Sequence, residues 1–249
     1  GLKNFSITAG LTHVLTFIVF CLFLCYFSCL IVFSDEGFAI VGSPALIPAR
    51  VYIYKLNGDL WNLHVDLVVG ARPYAVAING NFAVVQSTWD AYGINIYKCV
   101  DGTFDNVFDY FLPIDYQRGA NVFHLTSNHL IVGTCNLQKA YIFTKSDTID
   151  EEWKTDAIVP TVVLHETSTL KFGFSVGMNS EFAIVGGDTD KKVWVYKKNG
   201  NTWPLFQTIT ADQLDSSDLR KNQVACRFGN WIGITTKLLF IGGTYGTCG

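Results

Sequence analysis

The sequence predicts an all-β fold built from one four-stranded unit written several times. Three recurring features carry that prediction: an apolar run, a second apolar and aromatic run behind it, and a large aromatic behind the second. The stretch FGFSVGMNSEFAIVGG at 172–187 returns as FGNWIGITTKLLFIGG at 228–243, with Phe-Gly at the start of each and Gly-Gly at the end. Self-similarity at periods of about 20–50 residues is the mark of a repeat architecture.

The first feature occurs five times, as FAIVG (38–42), FAVVQ (82–86), HLIVG (129–133), FAIVG (182–186) and LLFIG (238–242). The anchor advances by 44, 47, 53 and 56 residues. The second follows in four copies, as RVYIY (50–54), GINIY (93–97), KAYIF (139–143) and KVWVY (192–196). The third is Trp61, Phe104, Trp153 and Trp203, with a small acidic insertion between Asp147 and Glu152 in the third copy.

Each copy reads as four short strands. The second is continuously apolar, as a strand buried on both faces must be. The third is apolar on both faces as well, with Val51 and Ile53 against Tyr52 and Tyr54. The fourth alternates: Trp61, Leu63, Val65 and Leu67 are separated by Asn62, His64 and Asp66, the pattern of one wet face. Pro204 falls in the fourth strand of the fourth copy, a place that tolerates proline only at a sheet edge. Inner strands covered on both faces and a half-wet outer strand describe blades stacked face to face. The predicted fold is a β-propeller fragment of about four to five four-stranded blades, preceded by an N-terminal hydrophobic helix. The copies run 34–67, 72–112, 119–164, 172–209 and, in part, 228–249, behind a tail at 1–10.

Phe-Gly, the apolar run with Gly-Gly, VWVY and the Trp together resemble the FG-GAP repeat family, the propeller repeat of integrin α-subunits. Residues 172–209 match best, and the resemblance extends over roughly 34–249. The Phe-Gly position reads Gly119-Ala120, Arg72-Pro73 and Ser28-Cys29 in the third, second and first copies. The resemblance implies a cell-surface or secretory-pathway module that binds a protein or glycan. Four copies and a half fall short of the seven blades usual in that family, so an open or distorted arc is expected. Integrin-type repeats carry an acidic calcium loop before the apolar strand. Here that connection is Asn179-Ser180-Glu181, too poor in oxygens for a cation that takes about six to eight, and the expectation is a calcium-free repeat with no metal and no cofactor.

Catalytic motifs do not appear. The five histidines (His13, His64, His124, His129 and His165) lie outside any GxSxG or HExxH pattern, and GGDTDKK lacks phosphate-loop spacing. His129 takes the place that Phe182 holds in the fourth copy. His124 lies on the opposite face from His129 if one strand runs through both. His64 is read as facing outward. A net charge of −3 supplies no basic field for nucleic acid. The seven cysteines show no CxxC pair and read as buried thiols, with no disulfide framework. The alternative to a non-catalytic binding module is a propeller-scaffold hydrolase or lyase, with side chains converging on a central channel.

In an antiparallel meander, the loops between second and third strands share one end with the connections between blades. That end collects Ser43–Ala49, Ser87–Tyr92, Thr134–Lys139, Asp188–Lys191 and Thr210–Arg227. Its candidate binding residues are Pro48, Trp89, Tyr92, Asp188 and Asp190, because exposed aromatics on loops serve as anchors.

Residues 11–33, LTHVLTFIVFCLFLCYFSCLIVF, hold no Asp, Glu, Lys or Arg. Their length suffices for a bilayer, where about 20 residues are needed. Lys3 ahead and Asp35-Glu36 behind orient the repeats away from the cytoplasm as a signal anchor. The predicted helix covers 11–30, with strand structure from about Ala39. The repeat register claims Ser28–Phe38 for an inner strand and turn instead, and the codon bias of such a run also fits a translated intron.

Overall fold

The computed structural model describes residues 7–8, 30–33, 37–43, 49–69, 73–87, 93–101, 103–104, 110–113, 122–146, 153, 160–166, 171–187, 191–213 and 228–243. The chain divides into two units, Gly1–Ile114 and Asp115–Gly249, each described by itself. The division falls between the second and third copies of the repeat.

The first unit holds two sheets. The first sheet runs β1 (Ile7–Thr8), β5 (Leu60–Val68), β4 (Arg50–Asn57), β3 (Phe38–Ser43) and β2 (Leu30–Phe33). The second runs β10 (Tyr110–Pro113), β8 (Gly93–Val100), β7 (Phe82–Ser87) and β6 (Pro73–Asn79), with β9 (Thr103–Phe104) also paired to β8. In the second unit, a third sheet orders β11 (Val122–Leu125), β12 (His129–Thr134), β13 (Lys139–Thr144) and β14 (Val162–His165). The fourth sheet orders β15 (Phe172–Met178), β16 (Phe182–Gly187), β17 (Lys192–Lys197) and β18 (Leu205–Thr210). A fifth holds β19 (Trp231–Ile234) and β20 (Leu239–Gly242). All pairings are antiparallel and, apart from β1 with β5 and β10 with β8, join consecutive strands, so the repeats are meanders, and FG…GG is the inner pair of one sheet.

Packing between sheets accounts for the apolar runs. On the fourth sheet, Val185, Trp194 and Tyr196 join a core with Ile131, Ile142 and Leu164 of the third. The other face gives Ile184, Val193 and Val195 to a core with Phe228 and Ile232. Strands β16 and β17 are therefore dry on both sides over 183–187 and 193–196, and each fully buried aliphatic contributes about 1.5–3 kcal/mol. In the first unit, Ile40, Val51 and Ile53 pack with Val76, Ile78 and Val85 of the second sheet.

Four expectations are corrected here. The apolar stretch 11–33 does not end as a helix: its last four residues form β2, paired with β3 from Leu30↔Gly42 to Phe33↔Ala39. The strands of the first repeat thus begin at Leu30, as the repeat register requires, because the second strand needs an inner partner for its backbone groups. Among the described residues no helix is long and apolar enough to cross a membrane; residues 11–29 lie outside them. Within the tail, Ile7–Thr8 adds an outer strand to the first sheet.

The outward reading of His64 also fails. Ile53 lies opposite Val65 and Tyr54 opposite Leu63, which leaves His64 as the extra residue of a bulge. A bulge shifts the alternation by one residue. Leu63 is therefore turned out, 52% exposed, and the His64 ring packs on Phe38 at 5.8 Å. Finally, one strand does not run through His124 and His129. They lie on β11 and β12, with Thr126–Asn128 as the turn between them. His124 pairs with Ile131, two residues from His129, so both histidines share a face.

Pro204 lies one residue ahead of β18, its carbonyl accepting from the Lys197 N–H at 3.1 Å. Because β18 is the edge of its sheet, the missing N–H costs no ladder bond.

Candidate binding face

Pro48, Trp89, Tyr92, Asp188 and Asp190 all lie outside the described residues. One loop of the expected binding end is described in full, the turn from Thr134 to Lys139 in the third copy. Leu137 N–H donates to the Thr134 carbonyl at 3.0 Å and Gln138 N–H to the Cys135 carbonyl at 3.2 Å. Thr134 Oγ1 donates to the Lys139 carbonyl at 3.1 Å, so the turn closes on its own backbone and shows Asn136 to solvent. Gln138 takes φ 55°, and Lys191, at the same end of the fourth sheet, takes φ 54°. Left-handed residues at the mouths of these hairpins bring the chain back sharply after strand two.

The opposite end is tied by repeated turns. Asn179 Oδ1 accepts from the N–H groups of Glu181 and Phe182, while Thr235 Oγ1 accepts from those of Lys237 and Leu238. Asn179 Nδ2 donates to the Thr235 carbonyl of the next copy at 2.9 Å. The connection where calcium-binding repeats place their ligands is here a side-chain-capped turn. Among the described residues, no group of three or more His, Cys, Asp or Glu side chains comes together.

Two kinds of contact join neighbouring sheets. The first is backbone on backbone. Gly173 and Gly229, each at φ 86°, place their carbonyl oxygens where a Cβ on Gly133 or Gly186 of the preceding sheet would stand. Ser175 Oγ adds a hydrogen bond to the Gly229 carbonyl at 2.5 Å. In the first unit the equivalent contact is softer: a Cβ on Gly42 would meet the Pro73 ring at 3.3 Å. The Phe-Gly and Gly-Gly signatures are two halves of one junction.

The second contact is aromatic. The large aromatic of one sheet stands edge-on against the first residue of strand two in the sheet before it. Phe104 meets Phe38 at 6.0 Å and 87°, and Trp203 meets His129 at 5.7 Å and 86°. Phe104, Trp153 and Trp203 are buried, whereas Trp61 is half-buried. His129 therefore does an aromatic's packing. Burial, with the Lys198 ammonium beside it, holds its imidazole down to about 4. It is neutral at pH 7, and Nε2 accepts from Lys198 Nζ at 3.1 Å. Burial also lowers His124. Burial and the Glu166 carboxylate push Tyr196 up to about 12. Sequence reading gave the place of His129 through its alignment with Phe38, but not its lysine, which lies in the next copy.

The chain resembles solved propeller structures. It aligns with a candidate 6-phosphogluconolactonase of Bacteroides fragilis at TM-score 0.56 and 13% identity, over 75% of this chain and 57% of that one. A chain of the mitotic checkpoint complex gives TM-score 0.56 at 16% identity, over 87% and 57%. The WD40 domain of Toxoplasma gondii coronin gives 0.51 at 8% identity, over 73% and 45%. The chain thus spans about half the length of these proteins. No family model and no curated protein matches it. The class of fold is β-propeller-like and all-β; at such identities the likeness speaks of fold alone.

Proposed function

We propose that the chain is a non-catalytic propeller module of the FG-GAP type that binds a protein through the loops joining second to third strands. The observation that carries this reading is where the perturbed side chains sit. His129 is engaged by Lys198 and Trp203, and Tyr196 lies inside the core between two sheets. Groups tuned for catalysis converge on a site; here His129 and Tyr196 are taken up in the packing between the third and fourth sheets, and Tyr97, also raised by burial, lies in the separate core of the first unit. The FG-GAP assignment draws support from Phe172-Gly173 and Phe228-Gly229, which meet Gly133 and Gly186 of the sheet before. A cell-surface placement, with residues 11–29 as the anchor, belongs to the same proposal.

A second reading, a propeller hydrolase, is favoured by the likeness to the Bacteroides protein. The test has two arms. Purified chain is assayed for hydrolysis of 6-phosphogluconolactone and simple aryl esters, and no turnover above buffer is expected. Photo-crosslinking from position 89 then isolates a partner, whose affinity is compared for Trp89→Ala and Glu181→Ala. The first should weaken binding by about tenfold and the second by less than about twofold. The reverse order removes the loop end as the binding face.

A further inference from the structure

We propose that the outer edge of the fourth sheet is a docking site for an extended, acidic segment of a protein partner, which adds to β18 as a fifth strand. This edge is distinct from the loop end, and binding here is independent of Trp89.

The sheet edge presents unpaired backbone. Among the described residues β18 ends its sheet, with no strand beyond it. The phase of the ladder tells which groups face out. Ala211 N–H donates to the Lys191 carbonyl, so 191/211 is a hydrogen-bonded pair. The pairs Val193↔Ile209 and Val195↔Gln207 are then bonded too, while Trp194↔Thr208 is not. The N–H and C=O of Thr208 therefore point away from β17, into the open edge. Thr210 shares that phase, and its N–H is taken by Gln213 Oε1 at 3.3 Å.

Native edges are usually blunted by charge or by cover. The equivalent edge in the first sheet has both. β1 pairs with Leu60 and Trp61, and the residue equivalent to Thr208 is Asp66, ion-paired with Arg50. By contrast, β18 reads Leu-Phe-Gln-Thr-Ile-Thr, without a charge. Leu205 is 53% exposed and Phe206 59%. Leu205 lies opposite Tyr196, and Phe206 lies with Lys197 and Phe182, so the two apolar side chains flank the edge on opposite faces.

Charge names the partner. Between 191 and 213 the chain has Lys191, Lys192, Lys197 and Lys198 against the single acid Asp212. Lys192 and Lys197 are exposed, and Lys197 Nζ sits 5.7 and 5.6 Å from the Phe182 and Phe206 rings. An incoming strand fits if it alternates apolar side chains with carboxylates. Main-chain bonds to Thr208 supply affinity, and the lysines select the sign.

The probe is a fluorescein-labelled nonapeptide of alternating Glu and Val, with Lys/Val and central-Pro versions as controls, titrated by anisotropy against the full chain. The Glu/Val peptide should bind saturably, with both controls about tenfold weaker. Hydrogen exchange should show the Thr208 amide becoming protected on binding. Thr208→Pro removes an outward N–H and no ladder bond, and should weaken binding about tenfold. Phe206→Gln, at an exposed position, should weaken it about threefold, and decides the matter if the proline variant does not fold. Equal affinity for wild type and both folded variants overturns the proposal. So does a Thr208 amide already protected in the free protein: independent of concentration, the chain covers its own edge; dependent on it, with dimer in sedimentation, a second copy does.

Discussion

The first and fourth sheets carry the same five residues, Phe-Ala-Ile-Val-Gly, on their second strands, and those residues meet different neighbours. In the fourth sheet the third strand is buried between its two exposed lysines, at Val193, Trp194, Val195 and Tyr196. In the first, Val51 and Ile53 are buried while Tyr52 and Tyr54 are half-buried. The fourth sheet packs both faces within its unit; in the first, the described core lies on the face that bears Val51 and Ile53, while Ala39 and Val41 on the other face are buried as well. Both sheets nevertheless repeat one detail, a fourth-strand bulge whose extra residue returns to the Phe of strand two. That residue is His64 over Phe38 in one and Phe206 over Phe182 in the other. Lys55 and Lys197 lie over those same phenylalanines at 5.5 and 5.7 Å. Local pairing is set by the repeat, whereas burial is set by what stands beside it.

The sharpest way to break this comparison is at its shared glycine. A methyl on Gly186 would stand on the Gly229 carbonyl and Ser175 Oγ, and a backbone cannot step aside as a side chain can. Gly186→Ala should cost about 3 kcal/mol. Gly42→Ala meets only the Pro73 and Val76 side chains at 3.3 Å and should cost about 1 kcal/mol or less. Urea unfolding, with hydrogen exchange on β16 and β3 to tell the units apart, measures both. Equal losses would mean that the two junctions are alike.

The aromatic ties provide the next test. His129 has its folded-state value held down to about 4, below the ordinary 6.5. The unfolded chain therefore takes up the proton first. The stability this group contributes is complete above about pH 6.5 and declines as pH falls towards 4. Allowing for solvent screening, about 1–2 kcal/mol should be lost across that window in the second unit. His129→Phe should remove the dependence. Phe38 and Phe104 do not titrate, but the His64 imidazole packs on Phe38, so the control is read in the His64→Phe variant, which should show no such dependence at that tie; a matching acid loss there would detach the effect from His129.

A smaller effect should be equal in both sheets. Gly58 and Gly200 hold φ 59° and 58° in matching hairpin turns, with open space around each Cβ position. Alanine at either should cost about 1 kcal/mol, from backbone strain alone. Thermal melts that separate the two by more than this would show that the turns differ. Smallest is the Arg50–Asp66 pair, whose side chains are each about a third exposed. Arg50→Gln should cost about 0.5 kcal/mol and less at high salt, the screened value of a surface ion pair.

The repeat was legible because it is a local property. The meander order and the Phe-Gly partner strands follow from apolar runs and turns written in the chain, most strands pairing with their immediate successors; β1, added to the first sheet from the tail, and the pairing of β10 with β8 past β9 do not. The run at 30–33 shows where that reading conflicts with another: length and hydropathy favour a membrane helix, yet the repeat register demands a strand, and pairing with β3 satisfies backbone groups that the second strand would otherwise leave open.

What the sequence by itself determined is the all-β meander, its four-stranded period and its apolar interior, since alternation and turn residues act over a few positions. The loop residues favoured as a binding face lie outside the described structure, so the face remains a matter of sequence. Only the tertiary structure decided the rest. His64 turns inward because one extra residue is absorbed in β5, and alternation cannot foresee a bulge. His129 meets Lys198 because two sheets stack, which brings together residues from separate copies. The glycines of one copy and the Phe-Gly of the next are conspicuous as words, but their meaning is a backbone contact between sheets, and contact at that range is created by packing.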